Sequence, residues 1–415
     1  MKIKLDPFIK FCFATFLLSM IIIFFMPPLY FAADVHWWIE WSMYIQQHGF
    51  SAAYTDPVIN YQPGLLYLLQ VYVWLCPTSL ETSIPILKSL IFVFDIGSVL
   101  LAAYILKRYR RSPYWSWLIL LNPGFLYTTL MWGQVDSMYM FFCFLTLVLI
   151  IFEKPYWAIA AFGCSLMMKP QAIFLGPLLL LIYSGWLWES KWRMFKSTFV
   201  FLLPILIISS PFIIHGQGMN LIEITFGAID RVPAVSMHAY NLWHLIFYGK
   251  DLVWMPDSTL FLGITLRSWG MILFFIALIF TLKPFVKYIK HSAFSSKEKL
   301  IKMGPAILLG AATVNLVFYY FNTQMHERYI HAAILLVGTA SIIKRNYLIY
   351  ILLSLAYFLS LDILMHHCRF PEAIYRAPIP YHPGFIAILF LITLLLLWKE
   401  LKCFSRPFSL NDSNE

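Results

Sequence analysis

The chain has 415 residues, is 61% hydrophobic and only 12% charged, and carries a formal net charge of +10, with a mean hydropathy of +0.74. A water-soluble domain carries roughly twice that charged fraction, so composition excludes one and points to an all-α polytopic membrane protein. The positive excess sits in short clusters between apolar runs, which is the loop bias of membrane proteins and not a nucleic-acid footprint; no nucleic-acid partner is expected.

The first apolar run, 8–26, follows Met1-Lys2-Ile3-Lys4. Phe25-Met26-Pro27-Pro28 offers no small-residue cleavage site, so the run reads as an uncleaved first span. The next, 63–76, is short for a bilayer core of about 30 Å. It suits an interfacial or re-entrant helix inside a long first external loop, 27–83. Eleven further runs follow at 84–106, 113–131, 137–152, 156–168, 171–188, 197–214, 262–282, 304–321, 330–343, 347–365 and 383–399. Placing every basic cluster in the cytoplasm gives about 12 spans with both termini inside. A second long external loop then covers 215–261, with Asp230-Arg231, and a third 366–382, with His366 and His367. The chain reads as one transmembrane domain, 1–403, with a short cytoplasmic tail, 404–415. The one N-x-S/T sequon, Asn411-Asp412-Ser413, falls in that tail. External loops without sequons fit a bacterial inner membrane. The six cysteines form no C-x-x-C pair, and most read as small packed hydrophobes.

Four polar clusters fall at the outer ends of different spans in this topology. They are Ala33-Asp34-Val35-His36-Trp37-Trp38, Trp132-Gly133-Gln134-Val135-Asp136-Ser137, Lys169-Pro170-Gln171 and Met325-His326-Glu327-Arg328. Charge bias sets the topology without them, so their convergence independently indicates a pocket on the outer face. Ionisable groups beside apolar runs are costly and mark functional sites. Asp34 is the candidate general base for an attacking hydroxyl; its other reading is a helix cap before the amphipathic stretch 37–48. Asp136 is either an N-cap or a second carboxylate that holds a sugar hydroxyl, a metal ion or an Arg/Lys side chain. Lys169 suits a phosphate oxygen as a point charge, or snorkels to the interface. Arg328 suits a lipid-linked phosphate through its planar fork, and His326 a leaving phosphate; the alternative is a structural ion pair of Glu327 with Arg328 or Lys169. No Walker loop, dinucleotide fingerprint or nucleophile elbow is present.

These clusters, in this order, resemble the GT-C superfamily of integral-membrane glycosyltransferases. The nearest likeness is to bacterial proteins related to the GPI mannosyltransferase II family, and a more distant one to dolichyl-phosphate-glucose glucosyltransferases. Tyr61-Gln62-Pro63-Gly64-Leu65, Leu121-Asn122-Pro123 and Ala239-Tyr240-Asn241-Leu242-Trp243 belong to the same ordered set, which covers about residues 30–335. The resemblance implies inverting transfer of a sugar, mannose by family weight, from a polyprenyl- or dolichyl-phosphate donor on the extracytoplasmic face. The acceptor is a glycan, a lipid-linked sugar or a protein, and membrane lipid is a further partner. Asp34 takes the catalytic place, and Gln134, Asp136, Lys169, Gln171, His326, Glu327 and Arg328 the donor phosphate and sugar. A divalent metal is the only cofactor in question, and Asp34-Val35-His36 in place of paired acids argues against it. Two other functions compete: a lipid-glycan ligase or polymerase using a diphosphate donor, and a secondary transporter or flippase. The ligase calls for large arginine-rich external loops, and the transporter for internal repeats and broken midplane helices.

Overall fold

A bilayer offers no water to an unpaired backbone N–H or C=O, so an apolar chain crosses it as helix. The computed structural model describes residues 6–26, 33–227, 232–289, 294, 297–366, 368–377 and 379–404. Among these, sheet is confined to two short two-stranded pairings. Among the described residues, eight helices are long and apolar enough to cross a membrane. The chain is therefore an all-α, multi-pass membrane protein.

The first long helix is α1 (Pro7–Phe24), followed by the aromatic-rich α2 (Ala33–His48) and by α3 (Pro63–Leu75). The second long helix is α4 (Ile84–Arg108). The expected span at 113–131 is not one helix. A 3-10 turn over Pro113–Ser116 leads into α5 (Trp117–Leu120), then α6 (Pro123–Leu126), then a π-helical turn over Tyr127–Trp132. Pro123 is the cause, since it has no N–H to continue α5. Asn122 caps the new helix by accepting from the Phe125 amide and donates to Tyr350 and Ser354 hydroxyls at 3.0 and 2.7 Å.

The short pair α7 (Asp136–Ile151) and α8 (Pro155–Met168) comes next. A 3-10 turn over Pro170–Leu175 then runs into α9 (Gly176–Trp188). The long α10 (Lys191–Ile214) is followed by α11 (Gly218–Gly227), α12 (Leu242–Ile246) and α13 (Leu266–Ile289). The last helices are α14 (Lys297–Phe321), α15 (His331–Lys344), α16 (Leu348–Met365), α17 (Glu372–Tyr375) and α18 (Pro383–Phe404). Helix α14 is almost wholly buried and packs against α7, α13, α15 and α18, so the core is built around it.

The run 63–76 forms α3, which packs on α2, α4 and α8. Gly64 allows the last contact, because a Cβ there would lie 2.7 Å from the Met167 carbonyl. Among the described residues, four strands punctuate the loops: β1 (Ser236–Met237), β2 (Leu260–Phe261), β3 (Ile264–Thr265) and β4 (Met325–His326). Strands β2 and β3 form a hairpin, while β1 pairs in parallel with β4, Ser236 opposite Met325. Lys2, Lys4, residues 27–32, Asp230, Arg231, His367 and the tail 405–415 lie outside the described residues.

Candidate active site

One wall of the site is the first turn of α2, where Asp34 lies. A carboxylate is favoured there by the helix dipole. The Gln134 side-chain amide donates to Asp34 Oδ2 at 2.6 Å, and Trp38 Nε1 donates to the Gly133 carbonyl at 3.2 Å. Gly133 permits this approach. Its φ is +80°, and a Cβ would meet Val35 Cγ2 at 2.7 Å, so only glycine fits.

A second wall carries the cations. Lys169 follows the C-terminus of α8, and its Nζ donates to Asp136 Oδ1 at 2.7 Å with both groups buried. Arg328 lies in a 3-10 turn over Glu327–Ile330. Its Nη1 donates to Glu327 Oε1 at 3.0 Å, and its Nε stands 3.6 Å from Asp136 Oδ2. Asp136 opens α7 without making a side-chain cap bond; it is instead the shared counter-ion of two cations. Lys169 Nζ also lies 5.1 Å from the Tyr329 ring centroid, and the Arg328 guanidinium 5.1 Å from that of Trp132, both within cation–π range.

The third element is β4, which sets His326 beside the cations. Its entrance is held by buried Asp257, which accepts from Gln324 Nε2 at 2.7 Å, Thr323 Oγ1 at 3.2 Å and Arg267 Nε at 2.8 Å. The Ala239–Trp243 motif closes the end of α14. Asn241 donates to the Tyr319 carbonyl at 3.2 Å and Trp243 Nε1 to the Phe321 carbonyl at 3.1 Å, satisfying carbonyls that a helix end leaves orphaned. That motif builds the platform for 325–328 and does not itself line the site.

Burial lowers His326 well below the ordinary histidine value of 6.5, reinforced by Arg328 and Lys169. His326 is thus a neutral hydrogen-bonding group at pH 7 and adds no positive charge. Burial opposes the charge of Arg328, but Glu327, Asp34 and Asp136 outweigh it and hold the guanidinium charged.

These walls enclose a cavity of about 450 Å³. Asp34, Lys169, Gln171, His326 and Arg328 line it together with Trp37, Trp38, Trp41 and Tyr61. Gln134, Asp136 and Glu327, expected to contact the donor, lie behind the wall. The physical reason is that buried cations require buried counter-ions and that the Gln134 amide is committed to Asp34. Gln171 Nε2 donates to the Tyr329 hydroxyl at 3.0 Å. No group of three or more His, Cys, Asp or Glu side chains suited to a metal ion occurs among the described residues. Asp34 faces the Gln134 amide where a metal would need a second acid.

Sequence reasoning missed Lys88. It is fully buried in α4, with Nζ 3.4 Å from the Met131 carbonyl, and it packs under the Gly133 turn. It also missed Asp95 of α4, whose Oδ1 is 3.9 Å from His331 Nε2 with both side chains buried. The indicator for both is an ionisable residue inside an apolar span. No family model and no curated protein matches the chain.

Proposed function

We propose that this cavity transfers a sugar from a polyprenyl- or dolichyl-phosphate donor to an acceptor hydroxyl, with inversion at the anomeric carbon. One arrangement supports the reading above all: Asp34, the one carboxylate among the described residues that line the cavity, shares an aromatic site with two carboxylate-anchored cations, Lys169 and Arg328. Asp34 takes the proton as the acceptor oxygen bonds to the anomeric carbon. The bond from that carbon to the phosphate oxygen breaks on the opposite face, and the electron pair leaves with the lipid phosphate. Lys169 meets the developing charge as a point charge and Arg328 as a planar fork. Neutral His326 adds an N–H donor. Asp136 and Glu327 act through the cations, holding them in place before the donor arrives. Trp41 and Gln171 line the cavity, and their buried Nε1 and Oε1 have no hydrogen-bond partner among the described residues, which leaves one donor and one acceptor unspent in its wall. Since the leaving group is already a phosphate, no nucleotide is needed.

In this reading α7, α8, α15 and the broken segment 113–132 cross the membrane with the eight long helices, giving twelve spans of a GT-C-like fold. Both termini are cytoplasmic, and the cavity faces the periplasm from a bacterial inner membrane. Mannose is the favoured sugar, by the resemblance to GPI mannosyltransferase II-like proteins. The test is incubation of membranes holding the full chain with labelled polyprenyl-phosphate mannose, glucose, galactose and arabinose, followed by identification of the product. Consumption of one donor with a glycosylated product is expected. Consumption of none overturns the reading, and normal turnover by Asp34→Asn overturns the base assignment.

A further inference from the structure

A second cavity, of about 320 Å³, lies at the other end of the same helices. Helix α15 starts three residues after Arg328 and runs 14 residues to Lys344, so its two ends are about 20 Å apart at 1.5 Å per residue. The cavity sits between the C-terminus of α4, the 3-10 turn 113–116 and the corner joining α15 to α16. Arg110, Arg111, Arg345, Ser112, Trp115 and Tyr347 line it. None of the three arginines joins an ion pair formed among the described residues. Lys344, next to them, is already paired with Glu400.

Two features distinguish this place from an ordinary solvated basic loop. First, the backbone that carries the arginines is set by the fold. Arg111 donates through Nε and Nη2 to the Ile343 carbonyl at 3.1 and 2.7 Å, which closes the end of α15 and fixes the fork. Arg110 and Arg345 hold φ of +55° and +56°, left-handed positions at helix ends where glycine would be unstrained. Second, an exposed apolar surface begins beside the cavity, next to Tyr347. Leu348, Ile351 and Leu355 make an exposed apolar stripe down α16, and Leu118 is exposed beside it. Trp115 and Tyr347, whose ring centroids are 6.2 Å apart, stand at its rim as interfacial aromatics do.

We propose that this cavity binds an anionic phosphate at the membrane face opposite the sugar-transfer cavity, the guanidiniums taking the phosphate oxygens as planar forks. An acidic phospholipid supplies that group with its acyl chains along the α16 stripe; free phosphate supplies it without them. The bound anion ties α4, α15 and α16 together. This site does not depend on the sugar-transfer reading.

The full chain in detergent is titrated with dioleoylphosphatidylglycerol, dioleoylphosphatidylcholine and inorganic phosphate, and adducts are counted by native mass spectrometry. Preferential retention of phosphatidylglycerol is expected, weakened about tenfold or more in Arg110→Gln/Arg345→Gln. Ser112→Asp, which sets a carboxylate among the guanidiniums, should weaken it similarly. Retention of phosphatidylglycerol that excess inorganic phosphate does not displace identifies a lipid ligand. Inorganic phosphate bound with the same arginine dependence identifies the free anion. Equal retention of both lipids with no phosphate bound, or unchanged retention in both variants, overturns the proposal. Arg110, Arg345 and Ser112 are exposed, and unfolding temperatures without lipid verify that the variants are folded.

Discussion

The two ends of the helical bundle treat positive charge in opposite ways. At the cavity end, Lys169 and Arg328 are buried and each touches a carboxylate of the chain. At the far end, Arg110, Arg111 and Arg345 meet no carboxylate among the described residues and line an open cavity. In sequence both ends are short runs of ionisable and polar residues next to apolar runs. The difference is one of preorganisation. A charge anchored by its own carboxylate keeps its geometry whether or not ligand is present, which suits stabilisation of a charge that appears only during reaction. An unanchored charge is compensated only by what binds it, which suits holding an anion already formed.

The largest effect that separates the two ends is Asp34→Asn. A general base contributes about 10²–10⁴-fold, and kcat should fall by that much. The unfolding temperature should hardly move, because the carboxylate is half-buried and, among the described residues, accepts a hydrogen bond from Gln134. A parallel fall in stability would show that Asp34 serves the fold instead.

Next is Asp136→Asn, which leaves Lys169 and Arg328 against a neutral amide. Removing one member of a buried ion pair costs about 3–5 kcal/mol, to be read as a large drop in unfolding temperature. Adding Lys169→Met should recover part of that loss, since the stranded charge goes with it. Equal loss in the single and double variants would mean the pair is not what Asp136 stabilises.

Asp34, Lys169, Gln171, His326 and Arg328 were legible because polar and ionisable groups beside apolar runs stand out without any knowledge of contacts. The long helices were legible for the same reason, through hydropathy. The pairing was not. Lys169 and Asp136 are 33 positions apart, and nothing in that spacing says that a carboxylate serves a lysine behind a wall and not a ligand in front of it. The break at Pro123 was visible as Leu121-Asn122-Pro123, but an apolar average over 113–131 conceals it. Lys88 and Asp95 were hidden by the same averaging.

Gly133→Ala probes the hinge between the carboxylate wall and the cation wall. A positive φ and a Cβ at 2.7 Å from Val35 together should cost about 1–3 kcal/mol. The displaced turn also carries Gln134, so kcat should fall with stability. A stable variant with normal kcat would show that the turn does not position Asp34.

Acid should weaken the cavity end selectively. Burial lowers His326, and burial with His238 nearby pushes His244 down to about 4. Below 6.5 the unfolded chain takes up protons that these folded histidines refuse, so stability falls as pH drops. The unfolding temperature should be level above neutrality and decline from pH 6.5 towards 4, with a shallower decline in His244→Gln. A curve of the same slope in that variant would remove His244 from the account.

The smallest effect is expected at the far end, and its smallness is the point. Arg110→Gln/Arg345→Gln removes two exposed charges that no carboxylate among the described residues answers. In lipid-free detergent the unfolding free energy should shift by no more than about 0.5 kcal/mol, as surface substitutions do. Relief of mutual repulsion would make the shift stabilising. Turnover of the sugar donor should be unchanged, because the variant sits about 20 Å from Arg328 by helix length. Added phosphatidylglycerol should then raise the unfolding temperature of the wild-type chain and not that of the variant. Without lipid, a drop as large as that of Asp136→Asn would mean that the far-end arginines are as tightly built into the fold as Lys169. The contrast between anchored and open charge would then fail.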